Sequence, residues 1–209
     1  MSEPRAVATG SSDDQRSKKV PGSAIKVYLD PVATARGSDT RNMNRRIVIL
    51  GFMACGKTTV AKELARQLDC DYVDLDSFIN EHHGRSPAEI IQQEGEDKFR
   101  ELETLALRDI LQNKDARVIA LGGGTWTIPA NRTLVALYDC DTVWLDVPFE
   151  VCWNRIVAAT SVRPLAPDRD TAWSRYESRR AGYGLSSRRV AATESDSVQD
   201  IAEQIGREL

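Results

Sequence analysis

The chain has 209 residues, 28 Lys+Arg against 31 Asp+Glu for a net charge of −3, and 41% hydrophobic residues. That length fits one domain or a domain with a tail, and the apolar fraction excludes a wholly disordered chain. The charge balance argues against a dedicated nucleic-acid binder, which carries a basic excess or stripe. The longest nearly apolar run, residues 47–55, has nine residues including a glycine. It is too short to span a bilayer, and no apolar core follows a charged start, so neither a membrane partner nor a secretory signal is expected. Cys55, Cys70, Cys140 and Cys152 form no CxxC pair, and the two histidines, His82 and His83, lie far from them. A structural zinc site is not expected, and the cysteines read as free thiols in a reducing cytoplasm.

Residues 1–44 hold seven basic and five acidic residues, whereas 45–209 hold 21 and 26. The first stretch has one aromatic, Tyr28, and buries too little apolar surface to offset its chain entropy, so it is expected to be a tail. Within it, residues 24–29 read as a strand or as a segment docking on the body, and Met43, just before the first strong strand, reads as an alternative start. From Arg45 the pattern is regular. The β-branched run over 47–50 predicts a buried strand ended by Gly51. Val60, Leu64 and Leu68 predict a helix over 57–69. A short strand follows at 72–75. Ser86, Pro87 and Glu89 supply a cap, a first-turn proline and a capping box for the next helix. Phe99, Leu102, Ala106 and Ile110 line another. Strands are predicted at 117–121, stopped by Gly122-Gly123-Gly124, at 142–145, and more weakly at 190–193, with helices over 151–159 and from Val198. Residues 160–171, with two prolines and four charges, read as a mobile loop. Strands alternating with helices predict an α/β fold, three layers around a parallel sheet, with ligands at the C-terminal ends of the strands.

The strongest motif is the run from Gly51 to Thr58, Gly-Phe-Met-Ala-Cys-Gly-Lys-Thr, which matches the phosphate-binding loop G-x-x-x-x-G-K-[ST]. Gly51 and Gly56 permit backbone angles a side chain forbids, so the loop's N–H groups converge on phosphate oxygens at a helix N-terminus. Lys57 adds a point charge and Thr58 a hydroxyl for Mg²⁺. Asp74 and Asp76 are spaced i, i+2, which in a strand projects both carboxylates to one side, one for the metal and one for a substrate hydroxyl. Without the phosphate loop nearby, the same pair reads as a helix cap and a solvated charge. The three glycines after the third strand either let a ligand approach the backbone or make a plain tight turn. Arg100, Arg163, Arg179 and Arg180 are candidates for mobile charge over a γ-phosphate and for bidentate binding of an anionic substrate, although most arginines are simply solvated.

Together these segments, with Glu-Gly-Glu-Asp-Lys-Phe-Arg-Glu-Leu-Glu (94–103) and Arg-Pro-Leu (163–165), make the stretch 45–209 resemble shikimate kinase. The resemblance implies a P-loop NTPase of nucleoside-monophosphate-kinase type with a five-stranded parallel sheet, transferring phosphate from ATP to the 3-hydroxyl of shikimate on the way to chorismate and aromatic amino acids. It implies ATP binding by Gly51, Ala54, Cys55, Gly56, Lys57, Thr58 and Thr59, with Arg155 and Arg163, and Mg²⁺ binding by Thr58 and Asp74. It implies substrate binding by Asp76, Arg100, Gly122, Gly123, Gly124 and Arg179, and catalytic roles for Lys57, Asp76 and Arg163, the last on a lid over 160–171. It also implies a monomer working on small molecules. The sequence departs from the family pattern at Arg179-Arg180-Ala181-Gly182-Tyr183, which leaves Arg179 and Arg180 as alternatives for the substrate carboxylate. Trp126 is expected on the substrate side, and Cys55 is expected to bring oxidation sensitivity. The main rival is a kinase of another polyol or hydroxy acid such as gluconate. A GTPase is disfavoured because Asn113-Lys114-Asp115 has its aspartate one place early for guanine recognition, and a non-catalytic relative is expected to have lost Lys57, Asp76 or Arg163.

Overall fold

A computed structural model describes residues 45–159 and 163–209. The expected tail, the strand or docking segment at 24–29 and the alternative start at Met43 lie outside the described residues, as do positions 160–162 of the expected lid.

Strand β1 (Ile47–Leu50) leads through the phosphate loop into helix α1 (Lys57–Gln67). Then come β2 (Tyr72–Asp74), α2 (Leu75–His83), α3 (Pro87–Glu94), α4 (Glu96–Asn113) and β3 (Val118–Ala120). A short 3₁₀ turn (Thr125–Thr127) precedes α5 (Pro129–Leu137), β4 (Asp141–Asp146), α6 (Phe149–Ala158), α7 (Arg169–Tyr183), β5 (Arg188–Ala191) and α8 (Val198–Arg207). The five strands form one sheet in the order β2-β3-β1-β4-β5, every pairing parallel. Ile47 registers against Val118 on one side and Asp141 on the other. The chain moves one way from β1 to β2 and the other way from β2 onward. With right-handed crossovers this puts α1 on one face and α2 to α7 on the other. Helix α8 then returns beside α1, against which it packs. The reversal opens a crevice at the C-terminal edge of β1, where the phosphate loop begins.

All four residues of β1 and all six of β4 are buried, which explains why β1 reads as a continuous β-branched run. Gly51 has φ 147°, and a Cβ there would sit 2.6 Å from the Leu145 carbonyl oxygen on β4. Gly56 has φ 104° and caps α1 in the left-handed region. The Ser86 capping box is present: Ser86 Oγ accepts from the Glu89 amide, and Glu89 Oε2 accepts from the Ser86 amide at 2.7 Å. A cap of this kind is worth about 1 kcal/mol and fixes the start of α3.

Two readings of local structure need correction. β2 ends at Asp74 and α2 begins at Leu75, so Asp74 and Asp76 do not alternate along a strand. Asp74 is the N-cap of α2, its Oδ1 accepting from the Ser77 amide at 2.9 Å, and Asp76 sits in the first helical turn. Helix α7 begins at Arg169, capped by Asp168, so the last three positions of the expected lid are helical. Among the described residues, no helix is long and apolar enough to cross a membrane.

Candidate active site

Two cavities meet at the C-terminal edge of the sheet. The first, about 430 Å³, runs over the phosphate loop, from Asp74 and Asp76 to Thr193 and Asp196 after β5. The second, about 400 Å³, is walled by α3, α4, the glycine turn and α7. Met53, Asp76, Gly123 and Arg163 line both.

The loop cavity is built by its own backbone. Lys57 is buried, and its Nζ donates to the Phe52 carbonyl at 2.9 Å, so the ammonium rests inside the loop. Thr58 Oγ1 donates to Asp74 Oδ2 at 2.6 Å. That couples the first turn of α1 to the end of β2 and places hard oxygen donors side by side. Arg155 on α6 reaches back to the loop, Nη1 donating to the carbonyls of Ala54 and Cys55 at 3.3 Å each. Ala54, Cys55, Gly56, Thr58 and Thr59 line the cavity, whereas Gly51 shapes the loop from behind. Cys55 is buried, and burial, only partly offset by Lys57, pushes its thiol above the usual range. This counts against the expected oxidation sensitivity, because the reactive species is the thiolate. All four cysteines are free thiols.

Asp76 is the carboxylate that lines both cavities. Its Oδ1 is buried with no hydrogen-bond partner. Burial, with the charges of Glu103 and Asp74, lifts its pKa to about 6, against the opposing pull of Lys57 and Arg100. A carboxylate poised there suits proton transfer near neutral pH. Arg163 also has a buried, unpartnered Nε.

The second cavity carries two further guanidiniums. Arg100 Nη2 donates to Glu96 Oε1 at 2.8 Å and Nη1 to Glu103 Oε2. Burial pulls the Arg100 pKa down, but the two glutamates outweigh it and leave it above its ordinary value. Arg179 on α7 is 7% exposed and donates to the Gly123 carbonyl at 3.1 Å. Burial, with Arg100 and Arg175 nearby, lowers its pKa. Arg180 leaves the helix elsewhere: it pairs with Asp146 at 2.9 Å and stacks over Trp144. Of the two alternatives, only Arg179 lines the cavity.

The glycines differ in role. Gly123 faces both cavities, but a Cβ at Gly122 would collide with Glu103 Oε1, and one at Gly124 would sit 2.5 Å from the Arg100 guanidinium. Gly122 lines neither cavity; it lets Glu103 and Thr125 pack behind the turn, Thr125 Oγ1 donating to Glu103 Oε1 at 2.6 Å. Trp126 does not reach the substrate side. It is 4% exposed, with Nε1 donating to the Gly182 carbonyl at 3.0 Å, and lines neither cavity. The 3₁₀ turn directs the ring into the seam with α7.

Glu103 escaped the sequence reading. It is fully buried, yet its i, i+3 spacing from Arg100 is that of an ordinary surface pair on a helix. Thr193 and Asp196 also escaped it; Asp196 Oδ2 accepts from the Thr193 amide and hydroxyl at 2.6 and 2.7 Å, forming a wall of the nucleotide-side cavity. A Thr-x-x-Asp pattern after the last strand was the available signal.

Among the described residues, no cluster of three or more His, Cys, Asp or Glu side chains could hold a metal ion. Mg²⁺ needs no such cage, since it keeps waters and substrate phosphates with one or two protein oxygens. The Thr58–Asp74 pair fits that requirement.

The shikimate kinase family profile matches residues 53–209. A shikimate kinase of Synechococcus sp. is 33% identical over 184 residues, covering 87% of this chain and 92% of its own. A shikimate kinase from Acinetobacter baumannii, solved in complex with shikimate, superposes with TM-score 0.72 at 28% identity, covering 78% of this chain and 92% of that one. A gluconokinase from Sinorhizobium meliloti covers 78% of this chain and 89% of its own at 17% identity and TM-score 0.54, a likeness of fold alone. With its phosphate loop, its five-stranded parallel sheet and a matched stretch reaching from the loop to the last residue, the chain belongs to the shikimate kinase family.

Proposed function

We propose that this chain transfers the γ-phosphoryl group of ATP to the 3-hydroxyl of shikimate, giving shikimate 3-phosphate and ADP. One observation carries the assignment of roles: Asp76 and Arg163 stand on the wall shared by the phosphate-loop cavity and the cavity holding Arg100 and Arg179. A donor phosphate on one side and an anionic acceptor on the other meet at a carboxylate and a guanidinium.

The loop amides and Lys57 hold the β- and γ-phosphates, Lys57 exchanging the Phe52 carbonyl for phosphate oxygen. Thr58 and Asp74, whose oxygens lie side by side, would hold Mg²⁺ with the nucleotide. Bound there, the ion neutralises phosphate charge. Arg100 and Arg179 bind the acceptor's carboxylate, an interaction suited to the planar guanidinium. Asp76 accepts the 3-hydroxyl proton as the new P–O bond forms and the bond to ADP breaks. Arg163 supplies positive charge over the group in flight, and the segment it shares with Pro164 and Leu165, which lines the second cavity, excludes water. The site residues named here all belong to one chain, which supports a monomer, and four unpaired thiols support a cytoplasmic enzyme.

A coupled ADP-release assay with shikimate, gluconate and no acceptor side by side tests the reading. Turnover is expected with shikimate only. Equal turnover with gluconate, or none with shikimate, overturns it.

A further inference from the structure

Arg175 lies one helical turn before Arg179 on α7, and the fold treats the two guanidiniums differently. Among the described residues no carboxylate pairs with Arg179; its contacts are the Gly123 carbonyl and the Tyr183 hydroxyl. Arg175 instead crosses to the first turn of α4. Its Nη1 donates to Glu96 Oε1 at 3.2 Å and its Nη2 to Glu96 Oε2 at 3.0 Å. Glu96 Oε1 also accepts from Arg100 Nη2 at 2.8 Å, while Glu103 holds Arg100 from the other side.

The consequence is one of charge. Arg100 alone faces two carboxylates, Glu96 and Glu103, and that trio carries a net −1 beside a cavity that also receives Asp76. Without Arg175 these three groups and Asp76 cancel the charges of Arg163 and Arg179 on the same cavity, and an anionic acceptor meets no net attraction. Arg175 makes the group of four neutral, so that Arg163 and Arg179, which also line the cavity, together outweigh Asp76. Arg175 does not line the cavity, so it acts through Glu96 and not by touching the acceptor. Both side chains of the Arg175–Glu96 pair are about one-third exposed, 31% and 32%, so its contribution to folding is small.

We infer that Arg175 is a positioning residue for acceptor binding: by holding Glu96 it keeps the charge of Arg100 available to the acceptor's carboxylate. This rests on the reading of the second cavity as the shikimate site.

The test is steady-state kinetics on the full chain, with shikimate and ATP varied separately. Arg175→Ala is expected to raise the KM for shikimate roughly tenfold, as an unbalanced, partly buried charge does to a nearby anion. The kcat and the KM for ATP stay within about twofold, since neither contact involves the nucleotide. Arg175→Gln, which keeps hydrogen-bonding capacity and loses the charge, behaves like Arg175→Ala, and Arg175→Lys recovers most of the affinity. In the double variant Glu96→Gln/Arg175→Ala the surplus negative charge is gone, so the KM returns to within about threefold of the unaltered protein. An unchanged KM in Arg175→Ala, a double variant as impaired as the single one, or an equal rise in the KM for ATP overturns the inference while leaving shikimate phosphorylation intact. Absence of shikimate turnover in the unaltered protein overturns the site assignment and the inference together.

Discussion

Arg179 and Arg180 are neighbours in the chain, yet one donates to the Gly123 carbonyl at 3.1 Å while the other pairs with Asp146 at 2.9 Å. The helix separates their side chains by about 100°, enough to send one into the cavity and the other toward the end of β4. Two consequences are separable by measurement. Arg179→Ala raises the KM for shikimate at least tenfold, because a buried guanidinium loses its place on the acceptor. Arg180→Ala leaves that KM unchanged and lowers Tm by a few degrees, since Arg189 still pairs with Asp146. Michaelis curves and thermal melts on both variants check this; a KM effect confined to Arg180→Ala would reverse the assignment.

Thr58→Val tests the metal pair. The valine keeps the volume of threonine and removes the hydroxyl that donates to Asp74. The Mg²⁺ concentration for half-maximal rate rises roughly tenfold, the scale seen for disturbed metal-site contacts, while Tm changes little. A titration of rate against free Mg²⁺ at fixed ATP reads the shift; an unaltered titration removes Thr58 from the metal site.

Gly124→Ala separates folding from binding. Its new methyl would sit 2.5 Å from the Arg100 guanidinium, the far end of a flexible side chain that can yield. The protein therefore folds, but Arg100 is displaced from its position between Glu96 and Glu103. A rise of about tenfold in the KM for shikimate is expected with ATP binding unchanged. Gly51→Ala contrasts with it, because its methyl meets the Leu145 carbonyl oxygen, a backbone atom inside the sheet, at a positive φ. That variant loses stability by more than 1 kcal/mol. Melting curves of the two variants side by side check the contrast; equal Tm values for both would refute it.

How legible these residues were depended on whether local chemistry or distant packing sets them. The phosphate loop follows from backbone angles and a helix start, so its spacing alone located it. Asp74 and Asp76 were located by the right residues and the wrong geometry, since the strand ends one residue before Leu75 and the two carboxylates flank a helix start. Helix α7 was hidden because its buried positions are Ala172, Tyr176, Arg179 and Tyr183, a helical spacing in which a charge and two hydroxyls mask the apolar signal. Helix α5, with Val135 and Asn131 as its buried residues, was masked in the same way. Trp126 was misplaced because its orientation follows from how the 3₁₀ turn meets α7, a tertiary contact no local pattern reports.

The pH dependence follows from Asp76. Its pKa of about 6 is raised chiefly by burial, with Glu103 and Asp74 adding to the rise. As the proton acceptor it works ionised, so kcat/KM for shikimate should fall as pH drops through about 6 and stay level above pH 7. The effect on stability has the opposite direction. The folded form holds this proton more tightly than the unfolded chain, so stability is lost as pH rises from the ordinary carboxylate range through about 6. Above that pH the ionised, partnerless Oδ1 is a standing cost to the fold. Asp76→Asn removes the charge. It should abolish most turnover while raising Tm by roughly 5 °C at pH 7.5, with the gain shrinking toward pH 5. Thermal melts and rates across pH 5–8 on both proteins test the pair of effects. A variant that loses activity and is also less stable at pH 7.5 would show that Asp76 holds the site together and does not strain it.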